Sequence, residues 1–232
     1  MERALEELAL TQMRKSVEKL GSSTESYGDP TLMRFLIARA MDPEKAGKMF
    51  VQWRQWRAAF VPLGYIPESE VPDELEARKI CLQGLSKNGF PVMIVREFVV
   101  HLLDKTLASS LKDGEIGKEK LIGILDLQHI SYKNIEARAL ITGFQFLQAY
   151  YPERLAKFYL LHMPLFFVAV WKLVSRFLEK ATLEKIVIVS NEEERLQFMR
   201  EVGEDVLPEE YGGNSKFVAM QDVVVNPLAV EG

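Results

Sequence analysis

The residues that decide the fold are Tyr150-Tyr151-Pro152-Glu153-Arg154-Leu155, followed by the run Lys157-Phe158-Tyr159-Leu160-Leu161. Proline cannot continue a helix, so a helix is predicted to end before Pro152. The aromatic and aliphatic residues that follow are typical of a strand. This stretch therefore predicts a junction between a helix and a buried strand, with Pro152 between them.

Further strands and helices are predicted on both sides of this junction. Leu121–Leu127 and Ile186–Val189 are almost wholly apolar, as expected of strands covered on both faces. Ile80–Leu85 and Pro91–Val95, joined at Asn88-Gly89, predict a β-hairpin. The predicted helices of this region are Glu115–Lys120, Glu136–Tyr150, Leu165–Leu178 and Glu192–Val202, the last with Ser190 and Glu193 as a capping box. Strands that alternate with helices indicate an α/β domain with a largely parallel sheet.

The first sixty or so residues predict a small all-helical unit. Helical spacing relates Leu5, Leu8, Met13, Val17 and Leu20, and Gly21-Ser22-Ser23 closes that segment. Asp29-Pro30 and Asp42-Pro43 each offer an N-cap acceptor followed by proline at the first helical position. The third helix has an apolar stripe that must pack on a neighbour, namely Ala46, Met49, Phe50, Trp53, Trp56, Arg57 and Phe60. Pro62, Pro67 and Pro72 mark a linker, so domains 1–66 and 67–232 are predicted.

Composition limits the class of protein. The chain has 232 residues, 48% hydrophobic and 27% charged, as expected of a soluble globular protein, and its net charge of −4 argues against a nucleic-acid partner. Cys81 is the single cysteine and is expected to be a buried apolar side chain in a reducing compartment. The acidic start Met1–Glu7 is unlike a signal peptide, and no apolar run reaches the roughly 20 residues of a membrane span. A cytoplasmic protein is the expectation.

The sequence contains no motif of a common enzyme class. Phosphate loops, dinucleotide-binding glycine motifs, nucleophile elbows and zinc-protease motifs are all missing from it. His101, His129 and His162 stand in separate segments without metal-ligand spacing, and Glu192-Glu193-Glu194 suits a helix N-terminus. We therefore expect no catalytic residues, no metal and no cofactor.

The segment Leu165–Leu178 is apolar around nearly its whole circumference up to Lys172. One buried face cannot satisfy such a helix. One interpretation is a helix sandwiched within the core. The other is a lid that covers an apolar ligand cavity with one face and meets a membrane with the other, aided by Lys172 and Arg176.

Six motifs in register resemble the CRAL-TRIO lipid-binding family, in particular its secretory phosphatidylinositol and phosphatidylcholine transfer proteins. They span about residues 29–215 and are Thr31–Arg39, Lys87–Val92, Ile124–Leu127, Tyr151–Leu155, Thr182–Ile186 and Leu207–Gly213. The resemblance implies an N-terminal helical bracket packed on a mixed, largely parallel β-sheet flanked by helices, with the sheet as the floor of an apolar lipid cavity. It also implies that Leu165–Leu178 is the gate helix, whose gate residues are Phe166, Phe167, Val170, Trp171 and Val174.

The same resemblance implies a headgroup site and a ligand. In the phosphatidylinositol-binding members, the inositol phosphate is held by residues that align with Arg39, Glu153, Thr182 and Lys185. The cations would neutralise the phosphate, Thr182 would donate a hydrogen bond, and Glu153 would accept from inositol hydroxyls or orient Arg39. A bound phospholipid or another hydrophobic ligand is thus expected.

Two departures from the family pattern bear on lipid choice. Ala40 stands where many members have a basic residue. Leu121 and Gly123 stand where choline-lipid recognition uses hydroxyl residues, which argues against phosphatidylcholine as a second ligand.

The function expected on these grounds is phosphatidylinositol exchange between membranes or presentation to lipid kinases, by a monomer that contacts membranes transiently. One alternative is a carrier of a single non-phospholipid hydrophobe, such as a sterol, a tocopherol-like compound or a fatty acid. Another is a protein-interaction module that docks through the N-terminal helices or through Trp53 and Trp56. The tail with Val223-Val224-Val225 is either a final strand or a docking segment.

Overall fold

A computed structural model describes residues 2–61, 80–95, 120–128, 130–131, 137–219 and 222. Three helices come first, α1 (Glu2–Lys19), α2 (Asp29–Ala38) and α3 (Pro43–Phe60). The strands are β1 (Ile80–Leu85), β2 (Pro91–Val95), β3 (Leu121–Asp126), β4 (Leu155–Leu161) and β5 (Ile186–Val189). The later helices are α4 (Ala137–Tyr150), α5 (Leu165–Val174), α6 (Lys180–Leu183) and α7 (Glu192–Val202), with 3₁₀ turns at Ser175–Phe177 and Glu209–Tyr211.

The strands form one mixed sheet in the order β1-β2-β3-β4-β5. β1 and β2 pair antiparallel as the predicted hairpin, and the remaining neighbours pair parallel. Every residue of β3 is buried, as its apolar sequence predicts for a central strand. A bulge shifts the register after Leu121, which pairs with Leu155 while Ile122 pairs with Lys157. The predicted mixed, largely parallel sheet is confirmed.

The sheet is covered on both faces. The first face, which we call the α5 face, carries Leu125 and Leu160 and is covered by Phe167 of α5. The opposite face, the α7 face, carries Ile124 and Tyr159 and is covered by α7 and the 3₁₀ turn at Glu209–Tyr211. Alternation of side chains along each strand supplies the two faces.

The N-terminal helices have a core of their own and also contact the sheet domain. Their buried residues are Ala9, Leu10, Met13, Val17, Leu32, Met33, Phe35, Leu36, Ala46, Met49 and Phe50. Trp56 of α3 stacks on Tyr150 of α4 with ring centroids 4.4 Å apart, and Phe146 packs edge-on against it. Trp53 contacts Tyr27 and lies among these helices. Both tryptophans therefore take part in internal packing, and the predicted boundary after residue 66 lies outside the described residues.

Several helix ends differ from their predicted form. Asp42 caps α3 as predicted, accepting from the amides of Glu44 and Lys45. The predicted Asp29 cap is wrong, because α2 begins at Asp29 itself and this carboxylate accepts from Arg14 Nη2 at 2.7 Å. The capping box of α7 lies one residue later than predicted, formed by Asn191 and Glu194 instead of Ser190 and Glu193. In α1 the spacing is helical, but Leu5, Leu8 and Leu20 are exposed.

Most predicted boundaries agree with the structure to within a few residues. β4 begins three residues before the predicted Phe158, and α5 ends at Val174, where a 3₁₀ turn replaces the rest of the predicted Leu165–Leu178 helix. Cys81 is buried as expected. The predicted helix Glu115–Lys120 lies outside the described residues except for Lys120, which is not helical. His101, His129 and Val223–Val225 also lie outside the described residues.

Candidate functional site

Three charged side chains meet at the edge of the sheet where the parallel strands begin. Lys120 directly precedes β3, Glu153 lies two residues before β4, and Lys185 directly precedes β5. Lys185 Nζ donates to Glu153 Oε2 at 3.0 Å, and Lys120 Nζ lies 3.6 Å from the same oxygen. The Glu153 side chain is 15% exposed and the two lysines are 23% and 28% exposed. Such partly sheltered charges interact more strongly than surface ion pairs do.

The backbone fixes these side chains in place. The Leu121 amide donates to the Arg154 carbonyl at 2.8 Å, and the Phe158 amide donates to the Lys185 carbonyl at 2.9 Å. Glu153 itself has a φ of 54°, a left-handed conformation that costs a non-glycine residue about 1–2 kcal/mol. Backbone strain that the surrounding structure maintains is concentrated at functional sites. The turn after Pro152 therefore aims the Glu153 carboxylate at the two ammonium groups.

Arg39 and Thr182 both contact Glu179, Arg39 through the carboxylate and Thr182 through the main chain. The Thr182 amide donates to the Glu179 carbonyl at 2.9 Å, and the Thr182 carbonyl accepts from the Lys185 amide at 3.1 Å. Arg39, which ends α2, donates to the Ala38 carbonyl at 2.9 Å and places Nη1 3.6 Å from Glu179 Oε1. The N-terminal helices therefore reach the segment that holds Thr182 and Lys185.

The structure brings the side chains of two of the four sequence-predicted site residues into contact. Glu153 and Lys185 contact directly, whereas Arg39 and Thr182 join them through the Glu179 segment. Among the described residues the Glu153 carboxylate pairs with Lys120 and Lys185, whereas Arg39 pairs with Glu179.

Sequence reasoning missed Lys120 and Glu179. The signal for Lys120 is a repeated pattern, a lysine directly before an apolar parallel strand, in Lys120-Leu121-Ile122 and Lys185-Ile186-Val187.

The inner side of α5 faces apolar side chains. Phe167 and Val174 are buried, and Val170 and Trp171 pack against the same clusters. Trp171 also contacts the ring of Phe144 on α4, at a centroid distance of 6.4 Å. Four of the five predicted gate residues therefore pack between α5, α4 and the sheet.

The outer side of α5 and the following 3₁₀ turn is apolar and exposed. Leu165 is 92% exposed, and Phe166, Leu173 and Phe177 are exposed as well. The exposed cations Lys172 and Arg176 lie on the same segment. The interpretation of this segment as a helix sandwiched in the core is therefore wrong. Within the described residues, no helix has both the length and the apolar character needed to cross a membrane.

A second polar cluster lies at the opposite edge of the sheet and connects two of the family-like motifs. Asp126, at the end of β3, accepts from Tyr211 Oη at 2.8 Å and from the Gln128 amide at 2.9 Å, and it lies 2.8 Å from His162 Nδ1. Burial raises the pKa of the Asp126 carboxyl, but its hydrogen bonds with His162, Gln128 and Tyr211 together lower the pKa by more than burial raises it. The pKa of Asp126 therefore lies below its ordinary value. This cluster fastens the C-terminal segment to the sheet.

A pocket of about 310 Å³ adjoins this second cluster on the α7 face, between His162, Asn191, Arg195 and Tyr211. It lies at the carboxyl ends of β4 and β5, whereas Glu153 and Lys185 lie before the amino ends of the same strands. The pocket is therefore separate from the candidate headgroup site.

Residues 78–213 match the family described as the CRAL/TRIO domain. The chain belongs to the CRAL/TRIO domain family. This CRAL/TRIO chain is 28% identical over 244 residues to "Sec14 cytosolic factor" of Schizosaccharomyces pombe, with 90% of this chain and 82% of that protein covered. It is 26% identical over 216 residues to "Phosphatidylinositol transfer protein CSR1" of Eremothecium gossypii, covering 82% of this chain and 48% of that protein.

A solved structure supports the same CRAL/TRIO fold. The crystal structure of Sfh5 superimposes with a TM-score of 0.66 at 16% identity, covering 99% of this chain and 94% of that one. The family and the fold predicted from the six motifs are confirmed. The CRAL/TRIO match covers residues 78–213, so the N-terminal motif Thr31–Arg39 lies before it. The alignment with the Sec14 relative covers 90% of this chain.

Proposed function

We propose that this CRAL/TRIO protein binds one phosphatidylinositol molecule, withdraws it from a membrane, and releases it to another membrane or presents it to a lipid kinase. The observation that carries the proposal is the Glu153–Lys185 pair at the border of the apolar α5 face. Leu155 and Ile186, which follow these residues closely, pack in the apolar cluster beneath α5. The lipid headgroup would lie against the charged pair at the edge of the sheet, and the acyl chains would lie against the apolar cluster beneath α5.

The headgroup, more than the acyl chains, is expected to determine which lipid is bound. Burial of an acyl chain contributes about 0.8 kcal/mol per CH₂ relative to water. A membrane offers the chains nearly the same environment, so this contribution largely cancels between donor and protein. Lys185 and Arg39 would neutralise the phosphodiester, Thr182 would donate a hydrogen bond, and Glu153 would accept from inositol hydroxyls. These roles require no covalent chemistry, so we propose a transfer protein and not an enzyme.

Membrane contact is proposed for the outer side of α5. Leu165, Phe166, Leu173 and Phe177 offer apolar surface, and two cations beside them suit an anionic membrane. Opening of α5 at the membrane would admit the lipid, and this step would set the transfer rate. The protein would act as a monomer, and it would act in the cytosol like the Schizosaccharomyces pombe relative named Sec14 cytosolic factor.

The test is native mass spectrometry after incubation with vesicles of phosphatidylinositol and phosphatidylcholine. Lys185→Ala and Glu153→Lys are each expected to reduce retained phosphatidylinositol at least tenfold, because a charge-assisted hydrogen bond contributes about 1.5–3 kcal/mol. Lys180→Ala is the matched control, since Lys180 lies on α6 with its ammonium in solvent and 3.8 Å from Glu184. Thermal unfolding would verify that all variants fold.

Three results would contradict the proposal. Wild-type retention of phosphatidylinositol by folded Lys185→Ala would exclude the headgroup assignment. Retention of only a non-phospholipid, unaffected by Lys185→Ala, would support the alternative of a carrier for a single hydrophobe. Absence of any lipid from the wild-type protein would favour a protein-interaction module.

A further inference from the structure

The Glu153 carboxylate is shared between two lysines that come from different parts of the chain. Lys185 makes a hydrogen bond to Oε2 at 3.0 Å, while Lys120 approaches the same oxygen only to 3.6 Å. The longer distance is beyond a good hydrogen bond, so the Lys120 ammonium makes an ionic contact and retains donors for another acceptor. Lys120 is therefore not needed to satisfy Glu153.

The cluster has an excess of positive charge. Among the described residues that meet here, two ammonium groups face one carboxylate, which leaves a charge of +1. Arg39, the other cation of the candidate headgroup site, has the Glu179 carboxylate beside it. Partly sheltered like charges repel each other, and an anion placed between them relieves that repulsion. A phosphodiester with its single negative charge would balance the cluster.

The position of Lys120 is built into the sheet. β3 and β4 pair in parallel, and the Leu121 amide donates to the Arg154 carbonyl, so Lys120 and Glu153 stand side by side at the edge. Lys120 therefore places a second cation beside Lys185 at the edge of the sheet, although Ala40 stands where many family members have a basic residue.

We propose that Lys120 selects lipid headgroups with a net negative charge over zwitterionic ones by contacting the headgroup phosphodiester together with Lys185. This inference rests on the proposed function. A zwitterionic headgroup brings its own cation, which the surplus charge repels. An anionic headgroup such as that of phosphatidylinositol brings none.

The experiment compares bound-lipid ratios of Lys120→Met and Lys120→Arg with the wild type. Each protein is equilibrated with vesicles of equal phosphatidylinositol and phosphatidylcholine, and the two lipids retained are quantified by native mass spectrometry. Lys120→Met is expected to lower the ratio of phosphatidylinositol to phosphatidylcholine about tenfold while total bound lipid stays constant, and Lys120→Arg to preserve the ratio. The wild-type ratio should fall with added salt, and the Lys120→Met ratio should depend on salt less.

Lys157→Met is the matched control. Lys157 makes an ion pair with Glu201 at 2.9 Å, and its exposure is comparable, but Glu201 belongs to α7 on the other face. Its substitution should leave the lipid ratio unchanged.

The outcomes separate this inference from the proposed function. An unchanged ratio in folded Lys120→Met, with phosphatidylinositol still lost in Lys185→Ala, would overturn the role of Lys120 alone. A parallel loss of both lipids in Lys120→Met would also overturn it, since that result indicates structural support. A wild-type protein that retains no phosphatidylinositol would overturn both. Soluble glycerophosphoinositol serves as a final arm, and Lys120-dependent binding of this diester without any effect on the lipid ratio would overturn the lipid assignment.

Discussion

The ring of Phe158 on β4 occupies the space that a side chain at Gly123 on β3 would need, and this close approach makes a quantitative prediction. The two residues are paired across the strands on the α5 face. A Cβ added at Gly123 would lie 2.5 Å from Phe158 Cδ2 and 2.9 Å from Cε2, whereas ordinary van der Waals contact begins at 3.4 Å. Gly123→Ala therefore requires the ring to retreat by about 0.9 Å.

The stability cost of Gly123→Ala depends on how firmly neighbouring side chains hold the Phe158 ring. Phe158 packs edge-on against Phe144 of α4 at a centroid distance of 6.1 Å, so the ring cannot move freely. Overpacking of this kind costs about 1–3 kcal/mol. Replacement of glycine in a strand interior gives back about 0.5–1 kcal/mol, because glycine loses more conformational entropy on folding. The central values of these two ranges differ by about 1 kcal/mol, so we expect Gly123→Ala to reduce the free energy of unfolding by about that amount.

Urea unfolding of a double-mutant cycle tests this account. Phe158→Leu removes the ring atoms that oppose the new Cβ, so the double variant should be more stable than the sum of the single effects by about 1 kcal/mol or more. Val187→Ala on the α7 face is the control, and its effect should add to that of Gly123→Ala. Strict additivity of Gly123→Ala with Phe158→Leu, or a Gly123→Ala protein as stable as the wild type, would refute the reasoning.

Two further predictions concern Asp126 and the outer side of α5. The folded-state pKa of Asp126 lies below its unfolded value of about 3.9, so the ionised carboxylate stabilises the fold above that pH. This contribution is lost as the pH falls through the folded-state pKa. The stability advantage of the wild type over Asp126→Asn in urea unfolding should therefore shrink below about pH 4; a constant advantage would contradict this. Replacing exposed Leu165 and Leu173 together by Gln should slow lipid transfer between vesicles several-fold while Tm stays unchanged, and unaltered transfer would exclude membrane contact through this surface.

The fold was predictable because its signals are local and periodic. β3 and β5 are short apolar runs, and the sheet requires just such strands where both faces are covered. The caps were less predictable, since Ser190 and Asn191 are both good capping residues and only the geometry decides between them. The exposure of Leu5 on α1 was not predictable either, because helical spacing does not specify which face meets a neighbour.

The candidate site was predictable only where a motif names its residues. Glu153 and Lys185 belong to family-like motifs, and the structure joins them directly. Lys120 belongs to no such motif, and its relevance depends on which strands are neighbours and where their amino ends meet. The pairing of Arg39 with Glu179 likewise depends on how α2 meets the segment after α5. The sequence shows that Lys120 directly precedes an apolar strand, but it does not show which elements meet there.

Gly123 on the α5 face bears on lipid choice separately from Lys120 at the edge of the sheet. The sequence argument against phosphatidylcholine rests on the missing hydroxyl groups at Leu121 and Gly123. Phe158 adds a steric reason, because a hydroxyl side chain at Gly123 would collide with this ring before it reached a ligand. Gly123→Thr alone is therefore expected not to raise phosphatidylcholine retention, whereas Gly123→Thr with Phe158→Ala should raise it if the face is where that lipid is recognised. Bound-lipid ratios from mixed vesicles measure this, and a gain in Gly123→Thr alone would show that the ring is no barrier.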